Sequence, residues 1–140
     1  MAITSNASTT WTGGLGSGSG TTTLGTGSTF DLTWRARAEE GGASTPEEFI
    51  AAAHASCFAM AFSHTLEQAG HAPESLDTTA KVSFVAGTGI TTSVLTVSGV
   101  VPGIDQARFA ELAEQAKAEC PVSQALAGID IQLGSVELRS

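Results

Sequence analysis

Thr45-Pro46-Glu47-Glu48-Phe49-Ile50-Ala51-Ala52-Ala53-His54-Ala55-Ser56-Cys57-Phe58-Ala59-Met60-Ala61-Phe62 reads as a helix from its first residue. Thr45 offers an N-cap hydroxyl, Pro46 fills the first helical position, where a missing N–H costs nothing, and Glu48 stands third, as in a capping box. The pattern runs to Ala69 and stops at Gly70, which without a Cβ takes the left-handed conformation that ends helices. From Phe49 to Phe62 only His54 and Ser56 interrupt the apolar residues, so this helix has no polar face and must be covered on every side. One chain of 140 residues leaves part of such a helix open. The expectation is a homodimer whose interface covers it, with small residues at positions 51, 52, 53, 55, 59 and 61 admitting a close neighbour. A core helix enclosed within one chain is the alternative.

Outward from this helix the pattern changes period. Upstream, the first 30 residues are rich in Gly, Ser and Thr, yet Trp11, Leu15, Leu24 and Phe30 are spaced as in short strands joined by tight turns. Phe30 to Arg37 alternates apolar and polar, and the whole reads as a β-meander leading through the turn Glu40-Gly41-Gly42-Ala43. Downstream, Leu76–Val85 and Gly89–Val101 are β-branched runs flanking Ala86-Gly87-Thr88-Gly89, which predicts a hairpin. After a turn at Val101-Pro102-Gly103-Ile104, Asp105 caps a helix whose apolar face is Phe109, Leu112, Ala113 and Ala116. A short helix from Pro121 to Ala127 and a closing strand from Ile129 to Leu138 complete one α+β domain over residues 1–140.

Composition narrows the partners. A formal charge of −8 with only six Lys and Arg and no basic cluster argues against nucleic acid or an anionic membrane. No basic region precedes an apolar run at the N-terminus, and no stretch reaches the roughly 18 uninterrupted apolar residues of a membrane span. A soluble cytoplasmic protein is expected. In that compartment two cysteines serve redox catalysis or metal binding more often than a permanent crosslink.

The two are Cys57 and Cys120. Cys57 lies midway along the apolar helix, in a protected environment. Cys120 precedes Pro121, which makes it an N-cap residue, where free N–H groups and the helix dipole favour a thiolate. Three other readings remain open. His54, Cys57 and Cys120 could be three zinc ligands, although no fourth residue is obviously placed. A Cys–His hydrolase lacks a recognisable group to orient the histidine. A non-catalytic dimeric binding module would merely bury its thiols. His64 and His71 read as surface positions.

The chain resembles the osmotically inducible protein C (OsmC) family of thiol peroxidases, which includes the organic hydroperoxide resistance (Ohr) proteins, and is most similar to the OsmC branch. The resemblance is carried by Trp11-Thr-Gly-Gly-Leu15, Thr45 to Phe58, Leu76-Asp-Thr-Thr-Ala80, Val101-Pro-Gly-Ile-Asp105 and Ala116-Lys-Ala-Glu-Cys-Pro-Val-Ser-Gln-Ala-Leu126. It implies an intertwined α+β homodimer with antiparallel sheets wrapped around long central helices. It also implies that Cys57 is the peroxidatic cysteine, Cys120 the resolving cysteine, Arg37 the active-site arginine nine residues before Pro46, and Glu47 the glutamate holding it. The implied activity is reduction of organic hydroperoxides to alcohols through a Cys57 sulfenic acid and a Cys57–Cys120 disulfide. A lipoylated protein or dihydrolipoamide would reduce that disulfide, and no cofactor or metal is called for.

Chemistry accounts for these residue types. A thiol of pKa about 8.5 is pushed higher by apolar burial, and Cys57 stands too far inside its helix for the dipole to offset this. A guanidinium that stays charged when partly buried can do so, and can donate to the peroxide oxygens as the O–O bond breaks. Glu47 precedes Cys57 by ten residues, roughly 15 Å along a helix and about 280° around it, so the two cannot share one small site within a chain. Arg37 and Glu47 are therefore expected to serve, in part, the other subunit's Cys57. The apolar residues Phe49, Phe58, Met60 and Phe62 are candidates for a pocket that favours alkyl or fatty-acid hydroperoxides.

Overall fold

A computed structural model describes residues 1–39 and 42–140. The chain divides into two compact units, Met1–Phe49 and Ile50–Ser140. The first unit is the expected meander: β1 (Ala7–Thr12), β2 (Ser19–Leu24) and β3 (Thr29–Leu32) pair antiparallel in that order. Trp11 explains part of its glycine content. A Cβ on Gly20 would stand 2.8 Å from the indole ring, and one on Gly18 would stand 2.3 Å from the Gly14 carbonyl oxygen.

The strand expected from Phe30 to Arg37 ends at Leu32, and α1 (Trp34–Ala38) takes its place. Thr33, a strand former by composition, acts instead as an N-cap: its backbone is extended and its Oγ1 accepts the Ala36 N–H at 3.1 Å. An Arg35–Glu39 ion pair at 3.0 Å spans the single turn. Of the turn read at Glu40-Gly41-Gly42-Ala43, the first two residues lie outside the described residues; Gly42 has φ +93°.

The helix that decided the fold is α2 (Pro46–Gln68). Thr45 Oγ1 accepts the Glu48 N–H at 3.1 Å. The far end closes with His71 N–H on the Leu66 carbonyl at 2.8 Å, Gly70 N–H on that of Glu67 at 3.0 Å, and Gly70 at φ +87°, a Schellman motif. By length and composition α2 could cross a membrane. Here it is a core helix on one side: His54, Phe58, Phe62, Thr65 and Leu66 are buried, whereas Ala52, Ala53, Ser56 and Met60 are exposed.

In the second unit β4 (Ser75–Val85) and β5 (Gly89–Val100) form the hairpin, and α3 (Gln106–Glu119) and α4 (Pro121–Ala125) lead to β6 (Asp130–Arg139). β6 lies parallel to β5, because the helical crossover returns the chain in the same direction; this pair departs from an all-antiparallel sheet. The alternation read for β6 breaks at Gly134 and Ser135. Leu133 pairs with Leu95 but Val136 with Val97, a bulge that keeps Val136 and Leu138 on the core face. Asp105 Oδ1 accepts the Arg108 N–H at 2.8 Å, and all four residues of the expected α3 face are buried.

Phe109 of α3 meets Phe62 of α2 at a ring-centroid distance of 5.0 Å, and Phe62 stacks on Phe58 at 5.7 Å. Leu95 and Val97 of β5 join this core. Gly99 makes the approach possible, since a Cβ there would lie 2.7 Å from Leu76 Cδ2, 3.0 Å from the Ser75 carbonyl oxygen and 3.3 Å from Phe109 Cζ. Gly99→Ala should therefore overpack the core and lower unfolding stability by about 1–3 kcal/mol, read as a fall in urea midpoint with an unchanged slope. An unaltered midpoint would mean that Leu76 and Phe109 yield without cost.

Candidate active site

Cys57 is half-buried on α2, and Cys120 is fully buried at the junction of two helices. The junction is tightly defined. Cys120 closes α3 by donating its N–H to the Ala116 carbonyl at 2.9 Å and opens α4 by accepting the Gln124 N–H at 3.0 Å, with Pro121 at the first position. Both thiols are free, and Cys120 lies close enough to Cys57 to raise its pKa.

The N-cap position serves a different purpose from the one the sequence indicates. The Cys120 side chain caps none of the α4 N–H groups. Instead the Val122 backbone N–H, in the first turn of α4, lies beside Cys57 and favours its thiolate. Burial pushes the Cys57 thiol above its ordinary range, Val122 pulls it down, and the Cys120 thiol pushes it up again through its hydrogen bond and charge. A pocket of about 500 Å³ opens on Cys57, with apolar walls from Ala53, Ala61, Pro121 and Val122 and the exposed side chain of Met60. Ser56 is its one hydroxyl. Among the four apolar residues considered for a pocket, only Met60 lines this one. Phe58 and Phe62 are fully buried core, and Phe49 packs edge-on against Phe30 at 5.4 Å.

Both ring nitrogens of His54 are engaged by serine hydroxyls. Its Nδ1 is hydrogen-bonded to Ser93 Oγ at 2.7 Å and its Nε2 to Ser123 Oγ at 2.8 Å, so neither ring nitrogen is left for zinc or to serve as a base for Cys57. Burial holds this imidazole below its ordinary pKa, in the neutral form. Among the described residues no three His, Cys, Asp or Glu side chains gather in a metal-binding group.

Arg37 and Glu47 lie in the first unit and meet there. Arg37 donates from Nε to Glu47 Oε1 at 2.9 Å, and its Nη2 is 2.7 Å from the same oxygen. Glu47 is buried, so the pair is desolvated on the carboxylate side. The guanidinium also lies 5.7 Å from the centre of the Trp34 ring, one helical turn earlier on α1. Trp34, Val122, Ser93 and Ser123 were not singled out from the sequence. Only Trp34 left a local trace, an aromatic three residues before the arginine.

A helix-borne thiol facing a second, buried thiol beside an apolar pocket defines a dithiol redox protein of α+β fold. Comparison with known proteins is specific: the OsmC-like protein family matches residues 39–134, and the chain belongs to the OsmC family. It is 41% identical to Peroxiredoxin OsmC of Escherichia coli (strain K12) over 145 residues, 96% of this chain and 100% of that one. The organic hydroperoxide resistance protein OsmC of Legionella pneumophila superposes with a TM-score of 0.72 at 28% identity over 98% of both chains. OhrB of Bacillus subtilis gives 0.67 at 26% identity over 96% of this chain and 98% of that one. The α+β architecture expected from the sequence is thereby borne out.

Since the Cys120 thiol raises the pKa of Cys57, Cys120→Ala should shift the pH midpoint of Cys57 alkylation by iodoacetamide downward relative to the reduced two-thiol protein. A midpoint that rises would mean that Cys120 helps to stabilise the thiolate.

Proposed function

We propose that this thiol peroxidase reduces alkyl and fatty-acid hydroperoxides to alcohols in a two-cysteine cycle. The observation that carries the reading is the free Cys57 thiol, open to an apolar pocket on one side and within reach of Cys120 on the other. Cys57 thiolate attacks the distal oxygen of ROOH; the O–O bond breaks, the leaving alkoxide takes up a proton as ROH, and the sulfur becomes a sulfenic acid. The Cys120 thiol then displaces hydroxide from that sulfur, forming the Cys57–Cys120 disulfide and water. An external dithiol restores both thiols by exchange and is itself oxidised to a disulfide. Dihydrolipoamide or a lipoylated protein is the reductant expected, in a cytoplasmic setting.

The cation that the cycle needs is Arg37, held by buried Glu47 and placed over Trp34. Its positive charge would favour the Cys57 thiolate that burial opposes, and its N–H groups would meet the charge growing on the peroxide oxygens. We assign this pair to a site shared across a homodimer. The exposed apolar face of α2, with Met60 74% accessible, supports that assembly.

One equivalent of cumene hydroperoxide should remove both thiols and two hydrogens from the reduced protein, faster than hydrogen peroxide does; persistence of both thiols would favour the non-catalytic binding module. Arg37→Ala should slow the first oxidation about a hundredfold. Mixing that chain with a Cys57→Ser chain should restore part of the activity in verified heterodimers, and absence of rescue would confine the site to one subunit.

A further inference from the structure

The His54 cluster is a buried polar device that the cycle above does not use. His54, Ser93 and Ser123 come from α2, β5 and α4, and the ring and both hydroxyls are buried with every hydrogen-bonding side-chain atom partnered. Three polar groups in an apolar core cost stability unless all are satisfied, and when satisfied they fix one arrangement. The arrangement fixed here is that of α4. With five residues it is too short to hold its own shape, and it depends on tertiary anchors. Its Val122 packs at the edge of the core and its Ser123 is tied to His54.

We propose that His54 is a positioning residue for the reactive thiol, acting through Ser123 to hold α4 so that the Val122 N–H and Cys120 stay against Cys57. The inference rests on the peroxidase reading for its biological meaning. Ser93 sets the ring from behind: with Nδ1 engaged by Ser93 at 2.7 Å, Nε2 is aimed at Ser123. His54 also precedes Cys57 by three residues on α2, so α4 is pinned to the same helical turn that carries the sulfur. Among the described residues of the second unit the titratable group found to act on Cys57 is Cys120, and His54 is partnered through both nitrogens; Arg37 enters only through the shared site proposed above.

The two arms can be separated. The Gln side-chain amide nitrogen falls near histidine Nε2 and that of Asn near Nδ1, so His54→Gln retains the bond to Ser123 and His54→Asn retains only the bond to Ser93. Iodoacetamide alkylation across pH, in a Cys120→Ala background, reads the Cys57 thiolate without any peroxide, so it stands even if the peroxidase assignment fails. His54→Asn and Ser123→Ala should raise the alkylation midpoint and, in the two-thiol protein, slow disulfide closure about tenfold after oxidation. His54→Gln should stay within about threefold of the parent. Should a His54 variant fail to fold by circular dichroism, Ser123→Ala alone decides. An unchanged midpoint and closure rate in folded Ser123→Ala, or equal losses in the folded Gln and Asn variants, would overturn the proposal.

Discussion

The proposed reactivity of this protein turns on one junction, where Cys57 meets the first turn of α4. A thiol reacts as its thiolate, and burial in an apolar wall opposes ionisation. The junction sets the Val122 N–H against that penalty while bringing in a second thiol that adds to it. Much of the second unit can be understood as support for this contact. The Phe58, Phe62 and Phe109 cluster fixes the depth of α2, and Thr78 of β4 donates to the Ala55 carbonyl at 2.9 Å, two residues before the cysteine. Cys120 terminates one helix and starts the next, so its position is set from both directions.

A single N–H donor does not cancel burial: the Cys57 thiol still stands above its ordinary range. The first unit holds the cation proposed for the remainder. Arg37 is fixed on one side by a buried carboxylate and on another by an indole face. A guanidinium held in this way has lost much of its conformational freedom on folding, so under the proposed role little ordering of its donors would be left to substrate binding.

What could be read from the sequence was what local chemistry decides. Thr45, Asp105 and Gly70 act within three residues of themselves, and their caps and stops are found where the sequence put them. The failures are equally physical. Thr33 suits both a strand and an N-cap, and the alternation from Phe30 favoured the strand until a one-turn helix proved to start there. His54 could be placed on the face of Cys57, but its partners lie 39 and 69 residues away, and no spacing rule connects a histidine to serines on a strand and a second helix. The bulge at Gly134 and Ser135 is similar: it depends on Thr96 and Val94 of the neighbouring strand, whose atoms come within 3.2 and 3.3 Å of where a Gly134 Cβ would be.

The apolar sequence of α2 concealed its most useful property. With hydrophobic residues all round, nothing in the pattern says which side faces the core, and period analysis returns no preferred direction. The structure divides the helix into a filled side carrying His54, Phe58, Phe62 and Leu66 and an open side carrying Ala52, Ala53, Ser56 and Met60. At 100° per residue, Cys57 falls on the seam between them. A thiol on the filled side would be sealed from substrate, and one on the open side would have no contact with buried Cys120. Only the seam gives a sulfur both an apolar entrance and a second thiol beside it, and α4 closes over that seam with Pro121 and Val122 in the pocket wall. An ordinary amphipathic helix would make such a boundary polar on its outer edge; an apolar one keeps the approach to the thiol dry, which suits the apolar substrate proposed and a reaction whose charge is best stabilised away from bulk water.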